Sequence, residues 1–173
     1  TKATSEEVTH ILKVTSENIK NVISGKAWLD KNLNGAKDSD EPVLSDIKVK
    51  IYDINKNDYL KNENGDIVET TTNENGEYTF TKIPNGEYIV LFEYDTNEYE
   101  PTYYMKDGID DSLNSKAVFK NITINGADKA YAVTDTIDLD DSVSNVNIGL
   151  KEKLIFDLQL DKYISKISIQ NSN

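Results

Sequence analysis

Residues 30–41 combine side chains whose types and spacing suit the binding of a hard metal ion. Their sequence, DKNLNGAKDSDE, matches the twelve-residue calcium-loop pattern D-x-[DN]-x-[DN]-G-x5-E at every defined position. The oxygen donors that the pattern predicts are Asp30, Asn32, Asn34, the backbone carbonyl of Ala36, Asp38 and Glu41. Calcium takes roughly six to eight oxygen ligands. We therefore expect the loop to bind one Ca²⁺ ion, with Gly35 allowing the sharp turn at its centre.

The segments on either side of the loop predict strands, which distinguishes it from a helix–loop–helix calcium site. Residues 23–29 have the pattern of a strand, and residues 46–52 place Ile47, Val49 and Ile51 at alternating positions. We expect the ion to stabilise a connection between two strands of a sheet. The alternative is a solvated acidic turn that binds nothing, because Asp, Asn and Gly are common turn residues.

The composition argues against several classes of function. The chain has 173 residues, a formal net charge of −12, no cysteine, and only lysine among its 19 strongly basic residues. We expect no nucleic-acid partner, no disulfide or thiolate metal site, and no membrane contact by this segment, since no apolar run is long enough to span a bilayer. His10 is the single histidine, and carboxylates concentrate only in the 30–41 loop. We therefore expect no catalytic residues and no enzymatic activity.

Turn signals divide the chain into short strand candidates. Asn-Gly occurs five times, at 34–35, 64–65, 75–76, 85–86 and 125–126, and this pair between alternating runs indicates hairpins. The strand candidates are 23–29, 46–52, 66–72, 77–81, 86–94, 118–124, 131–138 and 145–150. Many short strands with regular turns predict an all-β fold, an antiparallel β-sandwich. We assign it to residues 22–150, with a linker or the end of a preceding module at 1–21 and the start of a following module at 151–173.

Two separated blocks of sequence resemble a known family. The first runs from Ile23 through Ser24, Gly25, Trp28 and the loop to Pro42 and Leu44. The second includes Thr71, Thr72, Asn75, Gly76, Tyr78, Phe80, Ile83, Pro84, Gly86 and Tyr88, with Val146–Leu150 as a closing strand. These residues resemble the calcium-binding B-repeats of serine-aspartate repeat proteins, within the collagen-adhesin B-type group of Gram-positive bacteria. The resemblance covers about residues 22–150 and implies a transthyretin-like (prealbumin-like) Greek key. The residues outside this range predict strand-like flanking segments.

The resemblance also implies a function. Such modules are structural stalk or spacer segments of cell-surface adhesins, extracellular and anchored to the cell wall, and calcium rigidifies them. The expected partners are neighbouring modules of the same protein, and host extracellular matrix through other domains. The alternative function is an adhesive domain that itself binds a host matrix protein or glycan, which a large exposed apolar patch would favour.

Three further expectations concern individual residues. Residues 107–114 are acidic and could hold a second calcium, although a solvated loop explains them equally well. Tyr103 and Tyr104 are expected in the core, with an exposed binding patch as the alternative. Related B-type domains join a lysine and an asparagine covalently, and Lys26 and Asn147 lie on the corresponding strands. The assisting carboxylate should stand at Phe92, whereas Glu93 is one residue away and would face the opposite side of the sheet. We expect no such bond here.

Overall fold

The computed structural model describes residues 21–154, which form two β-sheets and one short 3₁₀ turn. The strands are β1 (Asn21–Leu29), β2 (Lys48–Asp53), β3 (Asp58–Tyr59), β4 (Glu69–Thr71), β5 (Glu77–Ile83), β6 (Gly86–Glu93), β7 (Tyr99–Pro101), β8 (Val118–Ile124), β9 (Ala127–Val133), β10 (Ile137–Leu139) and β11 (Ile148–Glu152), and the turn covers Asp111–Leu113. Within this part of the chain, no helix is long enough to cross a membrane.

The strands divide into a four-stranded and a seven-stranded sheet. The small sheet has the order β5-β1-β11-β7, and the large sheet has the order β3-β2-β6-β9-β8, with β4 beside β2 and β10 beside β6. The predicted all-β sandwich is confirmed. One pair departs from the antiparallel expectation, because β1 and β11 are parallel, with Ala27 opposite Ile148. The whole domain separates these two strands in sequence, so no short turn requires them to be antiparallel.

Alternate residues of both sheets meet in one apolar core. Tyr78 lies at its centre, with its ring 5.8 Å from Phe80 and 5.7 Å from Phe92 in edge-on contacts. Its hydroxyl donates to the backbone carbonyl of Val146 at 2.6 Å, so this buried polar group is satisfied. The other large residues of the core include Ile23, Val49, Ile51, Ile83, Tyr88, Val90, Leu139, Ile148 and Leu150.

A second apolar cluster lies on the opposite face of the large sheet. Leu91, Ile124, Tyr131 and Val133 are buried there. The hydroxyls of Tyr59 and Tyr131 lie 2.5 Å apart, which links β3 to β9. The side chain of Asn125, in the β8–β9 turn, also donates to Asp58 of β3 at 2.9 Å. These contacts connect β3, at one edge of the sheet, to the β8–β9 hairpin at the other.

Several predicted strand boundaries were wrong, because backbone pairing between neighbouring strands does not follow the full length of each apolar pattern. The candidate 131–138 is two strands, β9 and β10, separated at Thr134, whose hydroxyl accepts the N–H of Val90 at 3.0 Å. The candidate 66–72 shortens to β4. Strands β3 and β7, of two and three residues, are too short to show a sequence pattern. The expectations for the end segments fall on residues 1–20 and 155–173, outside the described residues.

The Asn-Gly pairs mark turns, but only one of them forms a two-residue hairpin. At 125–126 the pair joins β8 to β9, and both residues have positive φ, 53° and 79°, as a type I′ turn requires. The pairs at 75–76 and 85–86 connect strands that belong to different sheets. Local turn chemistry therefore predicts a change of direction but not which sheet the next strand joins.

The register of β6 follows the prediction for Phe92 and Glu93. Phe92 is fully buried in the main core, while Glu93 faces the other side of the sheet. There its carboxylate lies 2.6 Å from Lys50 Nζ and 2.8 Å from Lys129 Nζ. Burial raises the pKa of Glu93, but the hydrogen bonds from Lys129 and Lys50 outweigh this, so the pKa lies below its ordinary value.

We predict that Glu93→Gln lowers stability at neutral pH by about 1 kcal/mol. A carboxylate whose folded-state pKa is depressed contributes stability above its unfolded pKa, near about 4.3. That contribution is lost as the pH falls through the folded pKa. Thermal melting should therefore separate the variant from the wild type at neutral pH and bring them together in acid. Glu87→Gln, at an exposed position of the same strand, is the control. A difference that persists unchanged in acid would contradict the charge-based explanation.

Candidate metal centre

The 30–41 loop begins where β1 ends and is fixed to the small sheet at both ends. The N–H of Asp30 donates to the carbonyl of Leu150 on β11 at 2.7 Å, and the N–H of Leu29 donates to the carbonyl of Pro42 at 2.9 Å. The loop therefore leaves and re-enters the fold beside the last residues of β1. Two of its predicted ligands, Asp30 and Glu41, are buried, with 1% and 7% of their surface exposed.

Asp30 is the most completely enclosed of the predicted ligands. Its carboxylate accepts the N–H of Gly35 at 2.8 Å and that of Asn34 at 3.1 Å, so it organises the first half of the loop. It also accepts the hydroxyl of Thr102, which follows β7. Gly35 has φ +83°, and a Cβ there would lie 3.1 Å from the Tyr103 side chain. Its position in the pattern therefore has both a conformational and a packing reason.

The two asparagines and Asp38 form the less buried half of the loop, where Asn32 is exposed and the other two are half-buried. The side-chain oxygens of Asn32 and Asn34 accept backbone N–H groups two residues further on, at 3.0 and 2.7 Å. Their side-chain amides donate to Asp38 at 2.8 and 2.6 Å. The hydrogen bonds from Asn32 and then Asn34, with the charge of Lys37, lower the pKa of Asp38. The carboxylate is therefore ionised at neutral pH, as cation binding requires.

Glu41 closes the loop on itself. One of its carboxylate oxygens accepts the N–H of Lys31 at 2.8 Å, and the other accepts the N–H of Asp38 at 3.2 Å. The Lys37 ammonium reaches the carbonyls of Asp38 and Glu41 at 2.5 and 3.0 Å. Glu41, the last residue of the pattern, therefore holds the beginning of the loop and residue Asp38 together at its end.

The loop is also joined to residues 102–116, a connection that the sequence pattern does not show. Ala36 forms a β-bridge with Asn114, and the N–H of Lys37 donates to the carbonyl of Leu113 at 2.9 Å. The Lys106 ammonium donates to the carbonyl of Asn34 at 2.6 Å. The sequence does not connect Thr102, Lys106 and Asn114 with the loop, because they lie more than sixty residues from it and carry no pattern that refers to it.

The donor set fits calcium in its chemistry, since carboxylate, amide and backbone oxygens are the ligands that this ion prefers. Asp30, Asn32, Asn34, Ala36, Asp38 and Glu41 would hold the ion, which would supply positive charge to the loop. Within residues 21–154, however, no three Asp, Glu, His or Cys side chains converge as a metal-binding group. Asp38 accepts the side-chain amide hydrogens of Asn32 and Asn34, so binding would require it to exchange them for the cation.

Two other expectations near the site can be compared with the structure. Tyr103 and Tyr104 were predicted in the core, and this is wrong, since they are 52% and 39% exposed. They belong to a segment that lies over the sheet rather than within it, so strand alternation does not apply.

In residues 107–114, Asp110 caps the 3₁₀ turn by accepting the N–H of Ser112 at 2.9 Å, and Asp111 pairs with Lys116 at 2.8 Å.

Lys26 lies on β1 and Asn147 directly precedes the adjacent strand β11, but the two side chains engage different partners. Asn147 is buried, and its side-chain oxygen accepts the backbone N–H of Lys26 at 3.0 Å. Its amide nitrogen donates to the carbonyl of Ser112 at 3.0 Å. The ammonium of Lys26 lies 3.0 Å from Glu77, with about half of the side chain exposed. Asn147 therefore anchors residues 112–114 to the small sheet.

The fold defines an all-β sandwich module whose first strand leads into an acidic loop. The sequence assigns this module to a family, since the model of the SdrD B-like domain matches residues 21–150. The chain therefore belongs to the SdrD B-like domain family, and the predicted resemblance is confirmed.

Individual relatives match a similar part of the chain. Serine-aspartate repeat-containing protein F of Staphylococcus epidermidis is 38% identical over 103 residues, covering 58% of this chain and 6% of that protein. Serine-aspartate repeat-containing protein D of Staphylococcus aureus is 33% identical over 110 residues, covering 64% of this chain and 8% of that protein. The chain thus spans less than a tenth of either relative. The major pilin subunit BcpA of Bacillus cereus is a structural neighbour at 15% identity and TM-score 0.39, covering 78% of this chain and 30% of that chain.

We predict that the intact mass of the protein equals the mass of its sequence. A Lys–Asn isopeptide bond would release ammonia and lower the mass by about 17 Da. The reaction is helped by a protonated carboxylate in an apolar setting, and the apolar inward position of β6 is Phe92, while Glu93 pairs with Lys50 and Lys129. Mass spectrometry of the intact chain tests this. An ammonia loss mapped by digestion to Lys26 and Asn147 would contradict it.

Proposed function

We propose that residues 21–150 are a non-enzymatic spacer module of a bacterial cell-surface adhesin, rigidified by calcium at the 30–41 loop. Membership of the SdrD B-like family supports the structural role. The module would act outside the cell as part of a wall-anchored protein, with neighbouring modules of the same chain as its partners. Contact with host matrix would be made through other domains of the longer protein.

The observation that carries this proposal is the position of the loop between the small sheet, at β1 and β11, and residues 102–116. Asp30 connects the end of β1 to β11 through its backbone and to Thr102 through its carboxylate. Lys37 connects the loop to Leu113. An ion held by the loop oxygens would therefore fix β1, β11 and residues 102–116 relative to one another. Fixing these segments relative to one another would make the module stiffer, which is what a spacer requires.

A second candidate function is direct adhesion, and an exposed apolar surface favours it. Tyr104, Val118 and Phe119 line a groove of about 460 Å³ beside β7 and β8. All three side chains are at least 39% exposed. An extended host peptide or a glycan could lie in such a groove. Binding of matrix proteins by the isolated module, lost in Phe119→Ser, would favour adhesion over the spacer function.

We predict that calcium raises the melting temperature of the wild-type protein. An ion that binds only the folded state stabilises it by mass action. The dissociation constant is expected to be about 10⁻⁴–10⁻³ M, as is typical of extracellular modules. A free calcium concentration about ten times this constant should then raise Tm by roughly 3–6 °C. Glu41→Ala should lose most of this rise, because it removes a carboxylate from the loop. Glu63→Ala, in the exposed β3–β4 connection, should retain it.

Binding can be followed separately by fluorescence. Trp28 is the only tryptophan and is fully buried, packed with Thr102 against Gly149. It lies two residues before Asp30, so its emission should change as calcium is added. Identical melting and identical emission in EDTA and in millimolar calcium would rule out the calcium part of the proposal.

We predict that Thr102 positions Asp30 for metal binding. Thr102→Val keeps the shape of the side chain but removes the hydroxyl that donates to Asp30. Loss of a partner that orients a ligand typically weakens metal binding about tenfold or more. The calcium dissociation constant from titration of Trp28 fluorescence should rise accordingly, while Thr102→Ser should restore it. Equal affinities in Thr102→Val and wild type would show that the hydroxyl does not position the ligand.

The same variants test whether the loop and residues 102–116 are coupled. Trypsin can cleave after Lys106, inside this segment, and after Lys61, in the distant β3–β4 connection. Calcium should slow cleavage after Lys106 in the wild type and in Thr102→Ser, and less in Thr102→Val. Cleavage after Lys61 serves as the internal reference and should not depend on calcium.

A further inference from the structure

Asn-Gly pairs carry an intrinsic chemistry that the proposed function does not use. The backbone nitrogen of the glycine can attack the side-chain Cγ of the asparagine, which forms an N–Cγ bond, breaks the Cγ–Nδ2 bond and releases ammonia. Water then opens the resulting cyclic imide to aspartate or isoaspartate. The reaction needs a glycine N–H that is not held, a peptide that can move, and access to water. The structure sorts the five pairs by these requirements.

Three of the pairs are protected by the fold. The N–H of Gly35 donates to the buried Asp30 carboxylate at 2.8 Å. Gly76 is buried, and its N–H donates to Asn73 at 2.8 Å. Gly86 belongs to β6 and is paired with Leu139 of β10. In each case the attack would require the loss of contacts that hold two strands or the candidate metal loop in place.

The pair at 125–126 is the least protected. Asn125 and Gly126 are both exposed, and no atom lies within 4 Å of the position that a Cβ on Gly126 would occupy. Among the described residues, the N–H of Gly126 has no hydrogen-bond acceptor. Gly65, in the other open pair, donates to Asn62 at 3.0 Å, and the side chain of Asn62 accepts two further N–H groups of that turn. The turn around Asn64 is therefore held more firmly.

The side chain of Asn125 has a structural role that this reaction would reverse. Its amide donates to Asp58 at 2.9 Å, and Asp58 also accepts the Lys61 ammonium at 2.7 Å. Hydrogen bonds from Lys61, Asn125 and the Tyr59 N–H lower the pKa of Asp58, so the acceptor is ionised at neutral pH. A carboxylate at position 125 could not donate this hydrogen bond, and its negative charge would lie beside the negative charge of Asp58.

We propose that Asn125 is a site of spontaneous deamidation, and that its conversion weakens the attachment of β3 to the β8–β9 hairpin. The loss of the Asn125–Asp58 bond and the new repulsion would leave the Tyr59–Tyr131 contact as the remaining link described between these two edges. Isoaspartate would in addition lengthen the backbone of the two-residue turn. The change accumulates with the age of the molecule, because nothing in the reaction restores the amide.

The site can be tested by incubating the full chain in mildly alkaline buffer at body temperature and digesting samples with trypsin. Residues 121–129 form one tryptic peptide that contains only the Asn125 pair, whereas residues 62–82 contain both the Asn64 and the Asn75 pairs. Each conversion raises a peptide mass by about 1 Da, and fragment masses assign its position. We expect conversion at Asn125 first. Conversion at Asn64, or at any other pair, at an equal or greater rate would overturn the assignment.

The consequence can be tested with variants that contain the product from the start. Asn125→Asp should lower Tm by about 2–4 °C. Asn64→Asp makes the same change of charge in an exposed Asn-Gly pair and should leave Tm within about 1 °C. Hydrogen exchange should increase in β3 and in the β8–β9 hairpin of Asn125→Asp only. Equal melting of Asn125→Asp and wild type would overturn the proposed weakening of this attachment.

Discussion

The buried carboxylate of Asp30 is the constraint on which the arrangement of the loop and its surroundings depends. A charged group removed from water must be met by hydrogen-bond donors or by a cation. Two donors come from its own loop, the N–H groups of Asn34 and Gly35, and one comes from the hydroxyl of Thr102. All three donors are uncharged, so a divalent cation would complete the balance. One carboxylate therefore determines the path of the loop and of the chain that follows β7.

The two faces of the small sheet are covered in different ways. Its inner face contributes Ile23, Ile148 and Leu150 to the apolar core. On its outer side, Trp28 packs with Thr102 against Gly149. Residues 112–115 are attached there by directional bonds, in which Asn147 donates to Ser112 and the hydroxyl of Ser115 accepts the N–H of Gly149 at 3.0 Å. Hydrogen bonds to a covering segment need correct geometry, whereas apolar contacts tolerate small shifts. The outer layer is for this reason the part whose order depends most on how the loop is held.

The sequence predicts those features that depend on neighbouring residues. The six loop positions are recognisable because their spacing reflects one local turn, and the opposite orientations of Phe92 and Glu93 follow from the alternation of a strand. Features set by distant residues are not predictable in this way. Thr102 reaches Asp30 across seventy-two positions, and the exposure of Tyr103 depends on where its segment lies over the sheet. The parallel pairing of β1 with β11 likewise has no local signal.

The parallel alignment of the first and last strands has a mechanical consequence. If tension acts on the module through its two ends, it pulls β1 toward its amino end and β11 toward its carboxyl end. Since the strands are parallel and adjacent over Ala27–Leu29 and Ile148–Leu150, the load runs along the strands and is shared by their hydrogen bonds at the same time. An antiparallel pair pulled at the same ends would instead open one bond after another. This geometry resists extension by shear, and the loop lies directly at the end of the loaded strand.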